Sequence, residues 1–413
     1  MTTQLAVEAG TDAKMKIAQI TPYFLPVEGG VERHVLNLSH ELVRRGHEVE
    51  IFTCARTRQN EALERTSVVE GLPVSRFESM FSLGEFGRVW PGFAREVMKG
   101  DFDVVHSHSF RHPHTDISML VSKMTGSASV LTAHSPFHPG EVRGRFARAL
   151  VPVYDNLFAP TTLAYFDKVI SLTDEEAGLL ARLGVRSDQR VVIPHGVDAV
   201  HFTRADPSLF VSKYRLEGRD IALCLSRINR TKGLDVLLEA FASIADMAPN
   251  LTLVLAGEPT SRKEEGFLGE LKSRREALGL QGRVVFTGRL TDEEKASGYE
   301  ACAVFVLPSV YEPYGIVLLE AAAHGKPLIS TRAGGPKSIV EEGVNGLLVT
   351  PGANRELAAA LMRLASDKEL AERMGGEARQ MASEHTWERV AKATERAYHS
   401  VDDRVLAGRE IGW

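Results

Sequence analysis

The chain has 413 residues, of which 44% are apolar and 25% are charged, and its formal net charge is −5. A chain of this length exceeds one compact core, so we expect two domains, and the slightly acidic balance argues against a general nucleic-acid-binding protein. The three cysteines, Cys54, Cys224 and Cys302, lie far apart without a C-x-x-C spacing. This spacing argues against a disulfide framework or a zinc site and fits core thiols in a reducing cytosol.

The first 14 residues predict a loose N-terminal tail. They contain Glu8 and Asp12, and they lack both the basic start and the long apolar run of a signal peptide. Runs of about 18 apolar residues, which a membrane-spanning helix needs, do not occur. We therefore expect a cytoplasmic protein.

From Met15 onward, apolar runs typical of buried strands alternate with amphipathic helical patterns. The strand-like runs of the first half are KIAQIT, HEVEIFTC, DFDVVHSHS, SVLTAH, KVISLT and residues 191–193. The pattern restarts with DIALCLSRI, LTLVLAGE, RVVFTG, VFVLPS, PLIST and GLLVT. Helices are predicted between most of these runs, one of them over PKSIVEEG, and helical sequence continues from about Asn354 to His399.

Two successive strand–helix series predict two doubly wound, Rossmann-like α/β domains. We place the first at residues 15–200 and the second at 201–385, and we expect residues 386–413 to return as a helix to the first domain. Ligands of such sheets bind beyond the carboxyl ends of the strands. The predicted place for chemistry is therefore the cleft between the two domains.

The stretch SVYEPYGIVLLEAAAHGKPLIS, residues 309–330, holds two carboxylates beside a turn that opens a helix. Glu312 follows a strand, Gly315 permits close backbone approach, and Glu320 lies near the second helical turn. The free N–H groups of the helix start favour a diphosphate, and carboxylates accept hydrogen bonds from sugar hydroxyls. The pattern predicts a sugar–diphosphate–ribose ligand; the alternative is a surface loop with two solvated acids.

Two cations follow the first strand of the second half. Arg227 and Lys232 in LSRINRTKG could neutralise a diphosphate without a metal ion. Taken alone, such residues are more often surface charges. Their combination with the two glutamates favours the ligand-binding interpretation.

The first half offers its own candidates at strand ends. Gly29 and Gly30 lie between a strand and a helix without a G-x-G-x-x-G pattern, so they indicate either a close contact with phosphate or sugar or a plain turn. His134 ends the strand of LTAHSPFH, where a single histidine is more often structural. A metal site is the less favoured interpretation of four closely spaced histidines, His106, His108, His112 and His114.

Two segments mix aromatic and cationic side chains. Residues 141–166 carry both kinds, among them Arg143, Arg145, Arg148, Phe146, Tyr154 and Phe158. This segment predicts either a contact with an anionic membrane or lipid-linked acceptor, or an ordinary partly buried helix. The aromatic-rich residues 80–93 form a second stretch of this kind.

Taken together, these motifs resemble the family-4 retaining glycosyltransferases. The resemblance lies in SRINRTKG, in the E-x7-E signature of EPYGIVLLEAAAHGKPLI, in TPYFLPVEGGVERHVLNLSHELVRRGHEV and in IPHGVD, where His195 replaces the usual Asn. It covers residues 15 to about 400. It implies the GT-B architecture, in which two Rossmann-like domains face each other across a deep cleft and the C-terminal one holds most of the nucleotide-sugar.

The resemblance also implies roles for residues of the second half. Arg227 and Lys232 would contact the leaving diphosphate, Glu320 the ribose, and Glu312 the transferred sugar. The backbone of Tyr314, Gly315 and Ile316 would complete the phosphate cradle, and Tyr314 stands where the family often has Phe. The backbone of the FTGRL loop, which contains Arg289 and Leu290, would lie along the edge of the base, and Arg289 would reach toward the phosphates.

For the first half, the resemblance implies that Gly29 and Gly30 approach the donor phosphate and that His134 contacts the donor sugar. Glu32 and His108 would face the acceptor. No metal ion would be required.

The implied reaction is a retaining transfer of a hexosyl group, of mannose or glucose type, from a GDP- or UDP-sugar. The acceptor would be a glycan, a lipid-linked molecule or a small metabolite, and the enzyme could bind peripherally to the inner face of the membrane. Glu312 would position the sugar and would act neither as base nor as nucleophile. An epimerase or phosphorylase on the same fold and a non-catalytic binding protein remain alternatives.

Overall fold

The structure, a computed structural model, describes residues 14–82, 87–134 and 145–409. Within these residues, the first domain contains ten strands. Their bounds are β1 (Lys16–Ile20), β2 (Glu48–Cys54), β3 (Thr66–Val69), β4 (Leu72–Phe77), β5 (Phe81–Ser82), β6 (Arg88–Val89), β7 (Val104–His108), β8 (Ala128–Thr132), β9 (Lys168–Ser171) and β10 (Arg190–Val192). Eight of them form one sheet in the order β10-β9-β8-β7-β1-β2-β4-β3, while β5 and β6 pair separately.

The helices of this domain lie between its strands. They are α1 (Gly30–Arg44), α2 (Phe93–Lys99), α3 (Pro113–Thr125), α4 (Arg145–Leu157), α5 (Ala159–Tyr165) and α6 (Asp174–Arg182). Helix α1 forms because Val35, Leu38 and Leu42 recur at helical spacing, and all three are fully buried. Gly46, at φ 98°, terminates the helix, and β2 begins two residues later.

The second domain is a six-stranded, wholly parallel sheet in the order β13-β12-β11-β14-β15-β16. Its strands are β11 (Asp220–Leu225), β12 (Leu251–Ala256), β13 (Val284–Gly288), β14 (Val304–Leu307), β15 (Leu328–Thr331) and β16 (Gly346–Val349). Its helices are α7 (Ser208–Tyr214), α8 (Leu234–Ile244), α9 (Arg262–Ala277), α10 (Asp292–Ala301), α11 (Ile316–Ala323), α12 (Asn354–Ser366) and α13 (Lys368–Ser383). The predicted pair of doubly wound α/β domains is confirmed.

The last helix, α14 (Trp387–Arg409), packs on the first domain. Trp387, Val390 and Tyr398 share a buried cluster with Ile17 of β1 and Leu38 of α1. The chain therefore crosses between the domains twice. At the crossings the backbone N–H of Val197 donates to the carbonyl of His385, 2.7 Å away.

One helix prediction was wrong, and one predicted helical stretch is divided. PKSIVEEG forms only a 3-10 turn at Gly335–Ser338, because the Asn345 side chain bonds the backbone of Glu341 and Ile339 in place of a helical ladder. The helical sequence after Asn354 is divided into three helices, and the Asp367 side chain caps the second of them.

The three cysteines are buried free thiols, in agreement with the sequence prediction. Across the residues that the structure describes, no helix is both long enough and apolar enough to span a membrane.

Candidate active site

The starts of two helices, one from each domain, face each other across the interdomain gap. Helix α1 begins at Gly30 after β1, and α11 begins at Ile316 after β14. A Cβ atom built on Gly30 would lie 3.2 Å from Cδ1 of Ile316, so the two helix starts lie close together across the gap. Both helix starts direct free N–H groups toward the same space.

Lys232 and Glu312 form an ion pair on the second-domain side of this space. Nζ of Lys232 lies 2.6 Å from Oε2 of Glu312, and the two side chains are only 12% and 14% exposed. Gly233, at φ 64°, follows the lysine, and a Cβ there would lie 2.2 Å from the carbonyl oxygen of Pro308. The turn therefore fits against the end of β14 only with glycine at this position, and this fit places the ammonium group at Glu312.

Arg227 lies in the same loop, directly after β11, and its side chain is exposed. Within the described part of the chain, no ion pair involves Arg227. Its guanidinium group is therefore available to an anionic ligand.

Paired glycines outside the predicted motifs hold the turn around Glu312. The N–H of Gly335 donates to the Glu312 carbonyl at 2.8 Å. A Cβ on Gly334 would lie 2.2 Å from that carbonyl oxygen, and one on Gly335 would lie 2.3 Å from Cα of Tyr314. The AGGPKS segment could have indicated this contact, because paired glycines before proline often mark close backbone approach.

A buried tyrosine, which the sequence motifs did not reveal, donates a hydrogen bond to the Glu320 carboxylate. The hydroxyl of Tyr299 donates to Oε2 of Glu320 at 2.6 Å, and Nε2 of His201 lies 3.9 Å from Oε1. Tyr299 is fully buried, and this burial, together with the Glu320 charge, raises its pKa well above the usual range. The Tyr299 hydroxyl is therefore a permanent hydrogen-bond donor.

This contact predicts that Tyr299→Phe weakens donor binding. The substitution leaves the ring packing intact and removes the hydrogen bond that orients the carboxylate, a loss worth about 1–3 kcal/mol. We expect the donor KM to rise about 5- to 100-fold while kcat changes less than threefold, as measured by steady-state kinetics. Tyr214→Phe, on neighbouring α7, is the matched control, and a kcat loss without a KM change would contradict this role.

Arg289 bridges the two domains. Its guanidinium pairs with Glu28 of the first domain, and its Nη1 lies 3.6 Å from Oε1 of Glu258. Two further ion pairs cross the gap, Arg33–Asp292 at 3.6 Å and Lys337–Glu175 at 2.5 Å. Leu290, next to Arg289, is buried in the core of the second domain, so only its backbone can reach a ligand.

Glu32 lies beneath the glycine turn of the first domain. It is buried and pairs with Arg58 at 2.5 Å, and a Cβ on Gly29 would lie 2.4 Å from its Oε2. Burial raises the pKa of Glu32. The carboxylate lies against Gly29 and is buried. Its predicted contact with the acceptor stays a prediction.

His134 lines a pocket between the domains. The pocket walls also include Thr173 and Glu175 from the first domain and Tyr311 and Pro313 from the second. Burial lowers the pKa of His134 to about 3, so the imidazole is neutral near pH 7. His108 is fully buried behind it, with Nδ1 3.2 Å from Nε2 of His134. His108 thus touches the pocket only through His134.

The four closely spaced histidines do not converge on one point. His106 bonds the hydroxyls of Tyr398 and Thr132, at 2.7 and 2.8 Å, and His114 bonds the carbonyl oxygen of His108 at 2.8 Å. These contacts account for His106 and His114 as buried structural groups.

The two aromatic-rich segments are only partly described. Met80 and Phe81 are 71% and 53% exposed, and Phe158 is 58% exposed. Tyr154 donates to Asp116 at 2.9 Å. Arg143 and the side chains of Arg145, Phe146 and Arg148 lie outside the described residues.

Two doubly wound domains that face each other define a GT-B protein. In this chain a helix begins beside a glycine on each side of the gap, and two carboxylates lie on the second-domain side. Two family models match the chain: "Glycosyltransferase Family 4" over residues 28–201 and "Glycosyl transferases group 1" over residues 209–381. The chain belongs to the family-4 glycosyltransferases and is a hexosyltransferase.

Similar proteins include two curated glycosyltransferases. The phosphatidyl-myo-inositol mannosyltransferase of Mycolicibacterium smegmatis is 28% identical over 94% of this chain and 94% of its own length. The D-inositol 3-phosphate glycosyltransferase of Stackebrandtia nassauensis is 29% identical over 91% of this chain and 89% of its own.

Solved structures support the fold. Anabaena HepE in complex with UDP has a TM-score of 0.75 and 22% identity, covering 94% of this chain and all of its own. The sucrose-phosphate synthase of Thermosynechococcus elongatus has a TM-score of 0.76 and 24% identity, covering 95% of this chain and all of its own.

Proposed function

We propose that this enzyme transfers a hexosyl group, with retention, from a nucleoside diphosphate sugar to an acceptor hydroxyl. The observation that carries the proposal is the pairing of Lys232 with Glu312 in the turn before α11, whose first residue, Ile316, lies against Gly30. In this arrangement an ammonium group, exposed amides and a carboxylate meet where a sugar–diphosphate bond would lie. Arg227 supplies a second cation beside them.

The donor would reorganise the Lys232–Glu312 pair. The diphosphate competes for the ammonium group, and the sugar hydroxyls give Glu312 new donors. As the bond to the anomeric carbon breaks, negative charge grows on the leaving diphosphate and is stabilised by Lys232, Arg227 and the helix starts. The acceptor hydroxyl attacks from the face that the diphosphate leaves and passes its proton to a phosphate oxygen.

The neighbouring residues position the donor and hold the two domains closed around it. Glu320, oriented by Tyr299, accepts hydrogen bonds from the ribose, and neutral His134 contacts the sugar from the first domain. The pairs made by Arg289, Arg33 and Lys337 hold the domains together around the donor, which limits hydrolysis by water. The set of groups needs no metal ion for transfer.

GDP- and UDP-hexoses are the proposed donors. The name of the mycobacterial relative favours mannose, and HepE was solved with UDP and with UDP-glucose. For the acceptor, the names of the two curated relatives make inositol phosphates and phosphatidylinositol the first compounds to test, beside glycans and other lipid-linked sugars. A peripheral contact with the inner face of a membrane is part of the same proposal.

The test begins with a thermal-shift panel of GDP-, UDP- and ADP-hexoses, because a ligand bound only by the folded state raises the melting temperature. The stabilising donor is then incubated with each acceptor, with and without EDTA, and with and without anionic vesicles. We expect an acceptor-dependent glycoside that keeps the donor's anomeric configuration by NMR and forms equally in EDTA. Epimerised donor formed without any acceptor would contradict glycosyl transfer.

A further inference from the structure

Three imidazoles from separate elements converge on one point at the floor of the interdomain cleft. One nitrogen each from His34 on α1, His108 at the end of β7 and His134 after β8 lie within 4.8 Å of one another. The ring centroids are 4.7 Å apart for His34–His134, 5.4 Å for His108–His134 and 5.7 Å for His34–His108. This set differs from the four closely spaced histidines that the sequence singled out, because His34 comes from a distant segment.

The spacing matches a tetrahedral metal centre. With Zn–N bonds of 2.0–2.1 Å, tetrahedral geometry places ligand nitrogens about 3.3 Å apart and imidazole centroids about 5 Å apart. Nδ1 of His108 and Nε2 of His134 are 3.2 Å apart. The His34 nitrogen lies within 4.8 Å of the other two, so it must approach by up to about 1.5 Å to join the same ion.

The hydrogen bonds around the cluster also suit a metal. A neutral imidazole that donates through one nitrogen keeps a lone pair on the other. His108 donates from Nε2 to Oε1 of Gln19 at 2.7 Å, which leaves its Nδ1 lone pair directed at the cluster. Metal binding needs only a shift of the His134 proton from Nε2 to Nδ1, without net proton release.

The strongest sign of a ligand is an unsatisfied group. His34 is 2% exposed, and its Nδ1 has no hydrogen-bond partner within the described residues. Buried polar atoms are rarely left unpaired, so an unpaired one often marks a place for water or an ion. The cluster is also accessible, because His134 lines the interdomain pocket.

We propose that His34, His108 and His134 bind one divalent transition-metal ion, such as Zn²⁺, and that the bound ion inhibits transfer. Imidazole ligands select such metals over Mg²⁺ and Ca²⁺. The fourth coordination position faces the pocket and takes water. The inhibition rests on the proposed function, because the ion and its water would occupy the pocket beside His134 that the donor sugar would enter.

Binding is tested without any activity measurement, by titrating the full chain with Co²⁺ and dialysing it against Zn²⁺. We expect one ion per chain and the intense visible bands of four-coordinate Co²⁺, with both lost in His34→Gln and in His108→Gln. His40→Gln, also on α1 but bonded to the Glu70 carbonyl, should bind like the unaltered protein. X-ray absorption of the zinc-loaded unaltered protein should show three imidazole ligands even if a variant fails to fold. Less than 0.2 ion per chain, or fewer than two imidazole ligands, would overturn the site.

Inhibition is then measured separately. Micromolar Zn²⁺ should lower transfer at least tenfold in the unaltered protein, and EDTA should restore it. His34→Gln, which keeps His134, should transfer normally and lose the sensitivity to zinc. Stoichiometric binding with undiminished transfer would overturn the inhibition alone, whereas absence of transfer under every condition would count against the proposed function.

Discussion

Lys232→Ala is expected to lower kcat/KM for sugar transfer about 10²- to 10³-fold. The ammonium group lies within an ion pair that is nearly closed to solvent. In the proposed reaction its charge would stabilise the leaving diphosphate there far more strongly than in water. Removing one such preorganised donor costs about 3–4 kcal/mol of transition-state stabilisation. The measurement is steady-state transfer with the donor found in the thermal-shift panel.

The matched control for this prediction is Lys272→Ala, an exposed lysine on α9. It removes the same charge from the same domain and should transfer within twofold of the unaltered protein. Lys232→Ala also leaves the Glu312 carboxylate without its partner, so a small fall in melting temperature is expected and Glu312→Gln in the same chain should recover part of it. Transfer by Lys232→Ala above half the original rate would exclude Lys232 from the reaction.

Acidification from pH 7.5 to 5.5 is expected to lower the melting temperature by about 5 °C or more. Burial lowers the pKa of His106 and of His114 to about 3 and that of His195 to about 4. Unfolded histidines take up a proton below about pH 6.5, while these three stay neutral in the folded protein. The unfolded state therefore binds more protons, and the free energy of unfolding falls by up to about 1.4 kcal/mol per histidine for each pH unit below 6.5.

This contribution to the free energy of unfolding is fully present above pH 6.5 and is lost progressively as the pH falls toward 4. Thermal unfolding followed by circular dichroism at pH 7.5, 6.5 and 5.5 measures it, and three histidines correspond to about 4 kcal/mol per pH unit. His40→Gln should leave the pH dependence of the melting temperature unchanged, because the His40 side chain lies outside the group of fully buried histidines. Equal melting temperatures at pH 7.5 and 5.5 would show that the buried imidazoles are charged in the folded protein.

Much of the architecture could be predicted because the strands of the two sheets are apolar runs between clear turn signals. The antiparallel pair β3–β4 was missed because it lies at the sheet edge, where Val68 is 72% exposed and the burial pattern is weak. The short turn after Gly335 was misassigned because a side chain, Asn345, replaces the helical bonds. Local sequence carries little information about such competition.

The site residues could be located by motif, but their mutual contacts could not. Lys232 and Glu312 are 80 positions apart, and their pairing depends on the close fit of Gly233 against Pro308. The same holds for Tyr299 behind Glu320 and for His34 beside His108 and His134. Each of these contacts joins different elements, and only the order of strands in the sheet brings them together.

The double passage of the chain between the domains, near Val197 and again near Thr386, bears on how the enzyme could be re-engineered. A graft of the donor-binding half from a relative would need two splice points, because a single junction near residue 200 would also import a foreign last helix. That helix supplies Trp387 and Tyr398 to the core of the other half, so its mismatch would destabilise the acceptor half of the chimera. Exchange of residues 198–385 alone preserves both native cores.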